Sequence, residues 1–325
     1  MTLSLPLDLA KSTPESASDI TLDANHLKKS YGRGKRRFEA VRDVSLQLFA
    51  GEVLAFLGPN GAGKTTTIKM MSGLVRPDAG QVRIDGLDPH RQSGALKRVG
   101  AVLEGNRNLY WRLTPLENIE YFGGLRQVPR RIARQRGEHL LEQFGLSDKY
   151  KTPVQKLSRG MQQKLAIAVA LVHQPTLLLL DEPTLGLDVE ASETVKTLVR
   201  DVAAAGCAIL LTTHQLDVAE ELSDRVAIIR QGQIVAEQPT QELIQQFSGS
   251  TYRIDCGATV DPQRAQKITA LGGTVASDQI HFSGDALYEL LDILRPLPIK
   301  EIRQDQADLT DVFLSLIRND RTDKR

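Results

Sequence analysis

Two cysteines and one tryptophan are all that 325 residues contain of those types, and aromatic residues make up only 5% of the chain. A disulfide framework is therefore excluded. Cys207 leads into the apolar run Ala208-Ile209-Leu210-Leu211, where a thiol behaves as a small buried hydrophobe, and Cys256 is read as reduced and structural too. An excess of charge is also lacking: 41 Lys and Arg stand against 40 Asp and Glu, a net of +1. Nothing in that balance draws the chain to nucleic acid, so no nucleic-acid partner is expected and any anion site must be local. Apolar runs such as Leu177 to Leu180 fall far short of the ~20 residues that a membrane-crossing helix requires. The chain is expected not to span a bilayer itself. At the N-terminus Leu3, Leu5, Leu7 and Leu9 are interrupted by Pro6 and Asp8 with no basic start, which is not a secretion signal; the expected location is the cytoplasm.

The length suits one large domain and one small one. Residues 1–19, rich in Ser, Thr, Pro and Asp without a sustained period, are expected to be a disordered lead-in. From Ile20 the pattern tightens. Val53 to Leu57 reads as a short apolar strand running into a glycine-rich turn, and Thr65 to Met71 as the helix after it. Thr114-Pro115-Leu116-Glu117 has the form of a capping box with proline at the first helical position, opening a mostly helical insert, about 105–171. Strand patterns return at Thr176 to Leu180, Ala208 to Thr212 and Val226 to Ile229, and their alternation with helices implies a largely parallel sheet. Past Phe247-Ser248-Gly249-Ser250 the order becomes β-α-β-β-α-β, which predicts a small ferredoxin-like domain over 249–318. Its last piece, Leu309 to Ile317, has one apolar helix face, and 319–325 is a tail. The fold class expected is α/β for 20–248, with a smaller α+β domain after it.

Gly58-Pro59-Asn60-Gly61-Ala62-Gly63-Lys64-Thr65 follows the strand and opens the helix. Cradling a polyphosphate takes several backbone N–H groups at close range, which only residues without obstructing side chains supply. A helix N-terminus aimed at the phosphates, the Lys64 charge, the Thr65 hydroxyl as a ligand for Mg²⁺ and the further donor Thr66 complete a nucleotide site. Leu177-Leu178-Leu179-Leu180-Asp181-Glu182 is a second signal: an apolar strand ending in two carboxylates at the ligand-binding edge of such a sheet. Asp181 fits a Mg²⁺ ligand, and Glu182 fits the group that orients or deprotonates the attacking water.

Between these motifs, Lys156-Leu157-Ser158-Arg159-Gly160-Met161-Gln162-Gln163-Lys164 resembles the signature loop of ABC-type ATPases, usually written LSGGQ. The resemblance extends through most of Ile20 to Gln238 and implies a P-loop core of that class, ATP and Mg²⁺ as its ligands, and hydrolysis of ATP. In that family the signature loop of one protomer closes on ATP held by the other, and Ser158 is placed to cap a helix facing the γ-phosphate. Position by position, the resemblance implies that Tyr31 stacks on adenine, that Asp188 in Leu185-Gly186-Leu187-Asp188 communicates between sites, and that His214 contacts the γ-phosphate and holds Glu182. Three residues depart from the pattern. Glu104 stands where a glutamine normally reaches Mg²⁺ and the membrane partner; Arg159 and Met161 replace glycine and glutamine, and Arg159 is equally suited to supplement charge or to face solvent.

One cradle, one acidic pair and one signature per chain imply a homodimer burying two ATP molecules. The resemblance further implies a peripheral subunit on the cytoplasmic face of the membrane, docked through the insert Gly105 to Leu157 onto an integral membrane permease. The C-terminal domain, with Leu309-Thr310-Asp311-Val312-Phe313-Leu314, resembles that of ABC-2 type exporter ATPases. Alternative functions are a soluble ABC-type ATPase of assembly, translation or repair, and an importer subunit. The single cassette without long coiled coils argues against translation and repair.

Overall fold

The computed structural model describes residues 20–103, 109–247, 251–283, 286–304 and 308–318. Glu104, the N-terminal segment 1–19 and the tail 319–325, each named above, lie outside the described residues. The chain divides into two compact units between Glu237 and Gln238.

In the first unit β1 (Ile20–Tyr31), β2 (Phe38–Phe49) and β3 (Val53–Leu57) precede α1 (Lys64–Met71), β4 (Ala79–Ile84), α2 (Ser93–Leu96) and β5 (Val99–Val102). Then come α3 (Pro115–Leu125), α4 (Arg130–Gln143), α5 (Arg159–Leu171), β6 (Leu177–Asp181), α6 (Val189–Ala204), β7 (Ala208–Thr212), α7 (Leu216–Leu222), β8 (Arg225–Arg230) and β9 (Gln233–Pro239). The strands form a nine-stranded sheet in the order β4-β1-β2-β9-β8-β3-β7-β6-β5. From β8 to β5 the pairing is parallel throughout, as the alternating pattern requires. At the other side β1 pairs antiparallel with both β2 and β4, so the largely parallel sheet carries an antiparallel edge. The reason is local: only Gly32 to Arg37 separates two twelve-residue strands, and so short a connection permits antiparallel pairing alone.

The strands bearing the chemistry are wholly interior. Every residue of β3, β6 and β7 is buried, as continuous apolar runs covered on both faces must be. The capping box read from the sequence is present, with Thr114 and Glu117 closing it reciprocally at the start of α3. Its core of Ile119, Leu141, Phe144 and Leu165 is continuous with Leu178, Leu180 and Ile209 of the sheet. No described helix is long and apolar enough to cross a membrane.

The second unit contains α8 (Thr240–Phe247), β10 (Thr251–Cys256), α9 (Pro262–Ala270), β11 (Gly273–Ala276), β12 (Gln279–Ser283), α10 (Leu287–Leu294), β13 (Ile299–Gln304) and α11 (Leu309–Arg318). Its sheet runs β11-β12-β10-β13 with every pairing antiparallel, the ferredoxin-like arrangement. Ile254, Cys256 and Phe282 pack with Ile268, Leu290 and Leu294 beneath the two helices. The unit starts ahead of residue 249, because α8 packs against α11 and buries Leu243 and Ile244. Both cysteines are buried free thiols, and burial, followed by the Asp85 charge, pushes the Cys207 thiol up to about 12.

Candidate functional site

Strand β3 delivers the glycine-rich loop directly into α1. Gly63 has φ +113°, a left-handed setting, and a Cβ there would lie 2.5 Å from the carbonyl oxygen of Ala40. Glycine is therefore demanded both by the backbone and by the approach of β2. Turn bonds hold the loop: the Ala62 N–H donates to Pro59 O at 3.1 Å, and the Gly232 N–H to Ala62 O at 2.9 Å. The Lys64 ammonium donates to Gly58 O, and to Pro59 O at 3.3 Å. Burial lowers its pKa, and the nearby charges of Glu182 and Asp181 oppose that shift. Thr65 and Thr66 occupy the first turn of α1, with Thr65 exposed. Gly58, Pro59, Asn60, Gly61, Ala62, Gly63, Lys64, Thr65 and Thr66 thus form the strand–loop–helix unit read from the sequence.

The acidic pair is bound to the neighbouring strand. Asp181 ends β6 and is buried, and the Thr212 hydroxyl of β7 donates to its Oδ1. Glu182 has φ +52°, a left-handed backbone for a residue with a full side chain, at a cost of order 1–3 kcal/mol. Three bonds hold it there. Its N–H donates to Thr212 O at 2.9 Å, the Thr213 hydroxyl donates to Oε2 at 3.1 Å, and His214 Nδ1 lies 2.8 Å from Oε1. The Glu182 side chain is 13% exposed and that of His214 58%, so the carboxylate is sheltered and the ring faces outward.

Thr212 and Thr213 were not singled out in the sequence. Nor were Gln215 and Thr184, although the Thr184 hydroxyl donates to Gln215 Oε1 at 2.7 Å and the Gln215 N–H to Thr213 Oγ1 at 3.0 Å. Their signal was faint: two threonines ending a strand immediately before a histidine.

The signature residues gather beside the loop that ends in Asp188. Ser158 caps α5 by accepting the Met161 N–H at 3.2 Å. Gly160 abuts α6, where a Cβ would meet that of Ala191 at 3.1 Å, and Met161 packs half-buried on the insert core. Arg159 is exposed, yet its guanidinium lies over Gly186: a Cβ there would stand 2.9 Å from Arg159 Nη1. Asp188 caps α6 through the Ala191 N–H at 2.8 Å. Tyr31 ends β1, 44% exposed, with Lys29 Nζ 5.8 Å from its ring centroid. Because Tyr31 pairs with Phe38, two residues from Ala40, the ring lies at the same end of the sheet as Gly63.

The donors fit a hard cation beside phosphate. A Thr65 hydroxyl and an Asp181 carboxylate are oxygen ligands of the kind Mg²⁺ takes when nucleotide oxygens and waters complete its shell.

A family profile described as ABC transporter matches residues 41–185. The chain is 33% identical over 315 residues to the daunorubicin resistance ATP-binding protein DrrA3 of Streptomyces coeruleorubidus, an alignment covering 94% of this chain and 98% of that protein. To the Nod factor export ATP-binding protein I of Ralstonia nicotianae it is 34% identical over 319 residues, covering 93% and 95% respectively. Among solved structures, a dimeric post-hydrolysis ATP-binding cassette bound to ADP and Pi superposes with a TM-score of 0.61 at 27% identity, covering 67% of this chain and 98% of that one. With the phosphate loop, the acidic strand end and the signature helix arranged as above, the chain belongs to the ABC transporter family, among its ATP-binding and ATP-hydrolysing proteins.

Proposed function

We propose that this chain powers export through an integral membrane permease, working as a pair of identical copies on the cytoplasmic face of the membrane. One observation carries the reading. Glu182 is held in a left-handed backbone beside buried Asp181, with each carboxylate oxygen engaged by the end of β7. An arrangement that costs free energy and aims a sheltered carboxylate beside a phosphate loop is suited to accepting a proton from an attacking water.

Placement supports the following roles. Residues Gly58 to Thr66 cradle the phosphates, and Lys64 exchanges the carbonyls of Gly58 and Pro59 for phosphate oxygens. Thr65 and Asp181 would hold Mg²⁺, which supplies neutralising charge to the phosphates when bound. Thr213 and His214 fix the two oxygens of Glu182 so that it meets the water in one orientation. Tyr31 stacks on the adenine. Ser158, Arg159, Gly160 and Met161, with Asp188 alongside, meet the nucleotide held by the second copy. ATP shared in this way favours the closed pair, and hydrolysis removes the bridging charge. The permease docks on the insert, where Tyr110, Trp111, Tyr121 and Leu125 expose an apolar, aromatic face. The functions named for the two relatives, daunorubicin resistance and Nod factor export, favour the outward direction.

Glu182→Gln tests the reading. ATP affinity should stay within about twofold while turnover falls by at least ~10²-fold and a nucleotide-bound dimer accumulates on size-exclusion chromatography. Turnover near that of the parent chain removes Glu182 from the chemistry. Turnover per molecule that does not change on dilution, from a strictly monomeric protein, removes the pair.

A further inference from the structure

In the first unit α4 and α6 face each other across the end of α5 and enclose a groove of about 1150 Å³. It shares no residue with the nucleotide site. Ligand pockets for drug-sized molecules span roughly 300–1,000 Å³, so the space suffices for a bulky organic body. The floor is apolar: Leu140, Phe144, Leu171, Leu198 and Val202. The rim is not neutral. Glu190, Glu193 and Asp201 project from α6, and Arg136 is the one Lys or Arg among the lining residues.

The bonding around the rim decides the sign. Arg136 donates to the Val172 carbonyl at 3.0 Å, a neutral partner that leaves its charge in place, so one guanidinium offsets part of the rim's negative charge. Lys196 pairs with Glu193 at 2.8 Å. No ion pair among the described residues engages Glu190 or Asp201, and both are exposed. His139 adds a ring whose Nε2 is buried without a hydrogen-bond partner. An anion would meet unbalanced carboxylates, and a small hydrated cation would leave the apolar floor unused. A large apolar body with one delocalised positive charge satisfies both surfaces.

We infer that the groove between α4 and α6 is a binding site for a lipophilic organic cation. The occupant braces the helical insert against α6. That helix begins at the Asp188 cap, and α5, beneath the groove, begins at the Ser158 cap, so the site touches both helices that carry the loops facing the second copy.

Tetraphenylphosphonium and tetraphenylborate, alike in shape and opposite in charge, test the inference by isothermal titration calorimetry on the full chain. The phosphonium should bind with a micromolar Kd and the borate at least about tenfold more weakly. The double variant Glu190→Gln/Asp201→Asn should lose about tenfold in phosphonium affinity and keep its affinity for ATP, which also shows that it is folded. Thr197→Trp, a bulky ring placed on the exposed wall, should abolish binding. Equal affinity for the two ions, or phosphonium binding unchanged in the double variant, overturns the inference. ATP affinity measured on the same samples reports separately on the phosphate loop, so a failure there is not confused with a failure of the groove.

Discussion

The acidic end of β6 and the start of α5 lie in one unit and were read from the sequence as two halves of one site, yet they are built in opposite ways. Asp181 is buried and Glu182 sheltered, each tied by hydrogen bonds to the end of β7. Ser158 and Arg159 are exposed, and among the described residues the Ser158 cap to Met161 is the only side-chain hydrogen bond that either makes. The difference teaches where preorganisation sits. The carboxylate end is complete within one chain, whereas the signature end is a prepared surface whose use depends on what it faces.

Four changes break or sharpen that contrast. Lys64→Ala removes the cation from the complete end and should weaken ATP binding by about a hundredfold in a single chain, read by titration with a fluorescent ATP analogue. Next comes acid. Burial, helped by the Arg126 and Arg136 charges and opposed by the hydrogen bond to Val99 O, lowers the His173 pKa to about 4. A histidine depressed below its unfolded value of about 6.5 contributes stability above that pH and loses it as the pH falls toward 4, by roughly 3 kcal/mol in all. His173 follows α5, so amide exchange around α5 and β5 should accelerate over that window, and His173→Gln should flatten the dependence. Third, Thr212→Val leaves Asp181 without its buried donor and should cost about 2 kcal/mol in denaturant unfolding. Smallest is Ser158→Ala, which removes a cap worth about 1 kcal/mol and should leave ATP affinity of the single chain unchanged. If it weakened binding as Lys64→Ala does, the contrast between the ends would fail.

The sequence made the chemical core legible because its signals are local. A glycine-rich turn between strand and helix, a capping threonine at 114 and an apolar strand ending in Asp181 and Glu182 each declare themselves within a few residues. What escaped is contact between distant positions: Thr212 reaches Asp181 across 31 residues of chain. The antiparallel β1, β2 and β4 were missed for a related reason. Their one-sided burial is clear only once Leu22 is seen opposite both Leu48 and Ile84. The start of the second unit was obscured by α8, a short helix assigned by its packing against α11 rather than by any change in composition.

The backbone setting of Glu182 is a strain the chain keeps for the sake of one carboxylate. Glycine would relieve it, yet would give up the bonds from Thr213 and His214 and leave a freer unfolded chain, so relief and loss offset each other. Heat tolerance alone would therefore neither keep nor discard the residue; only turnover does.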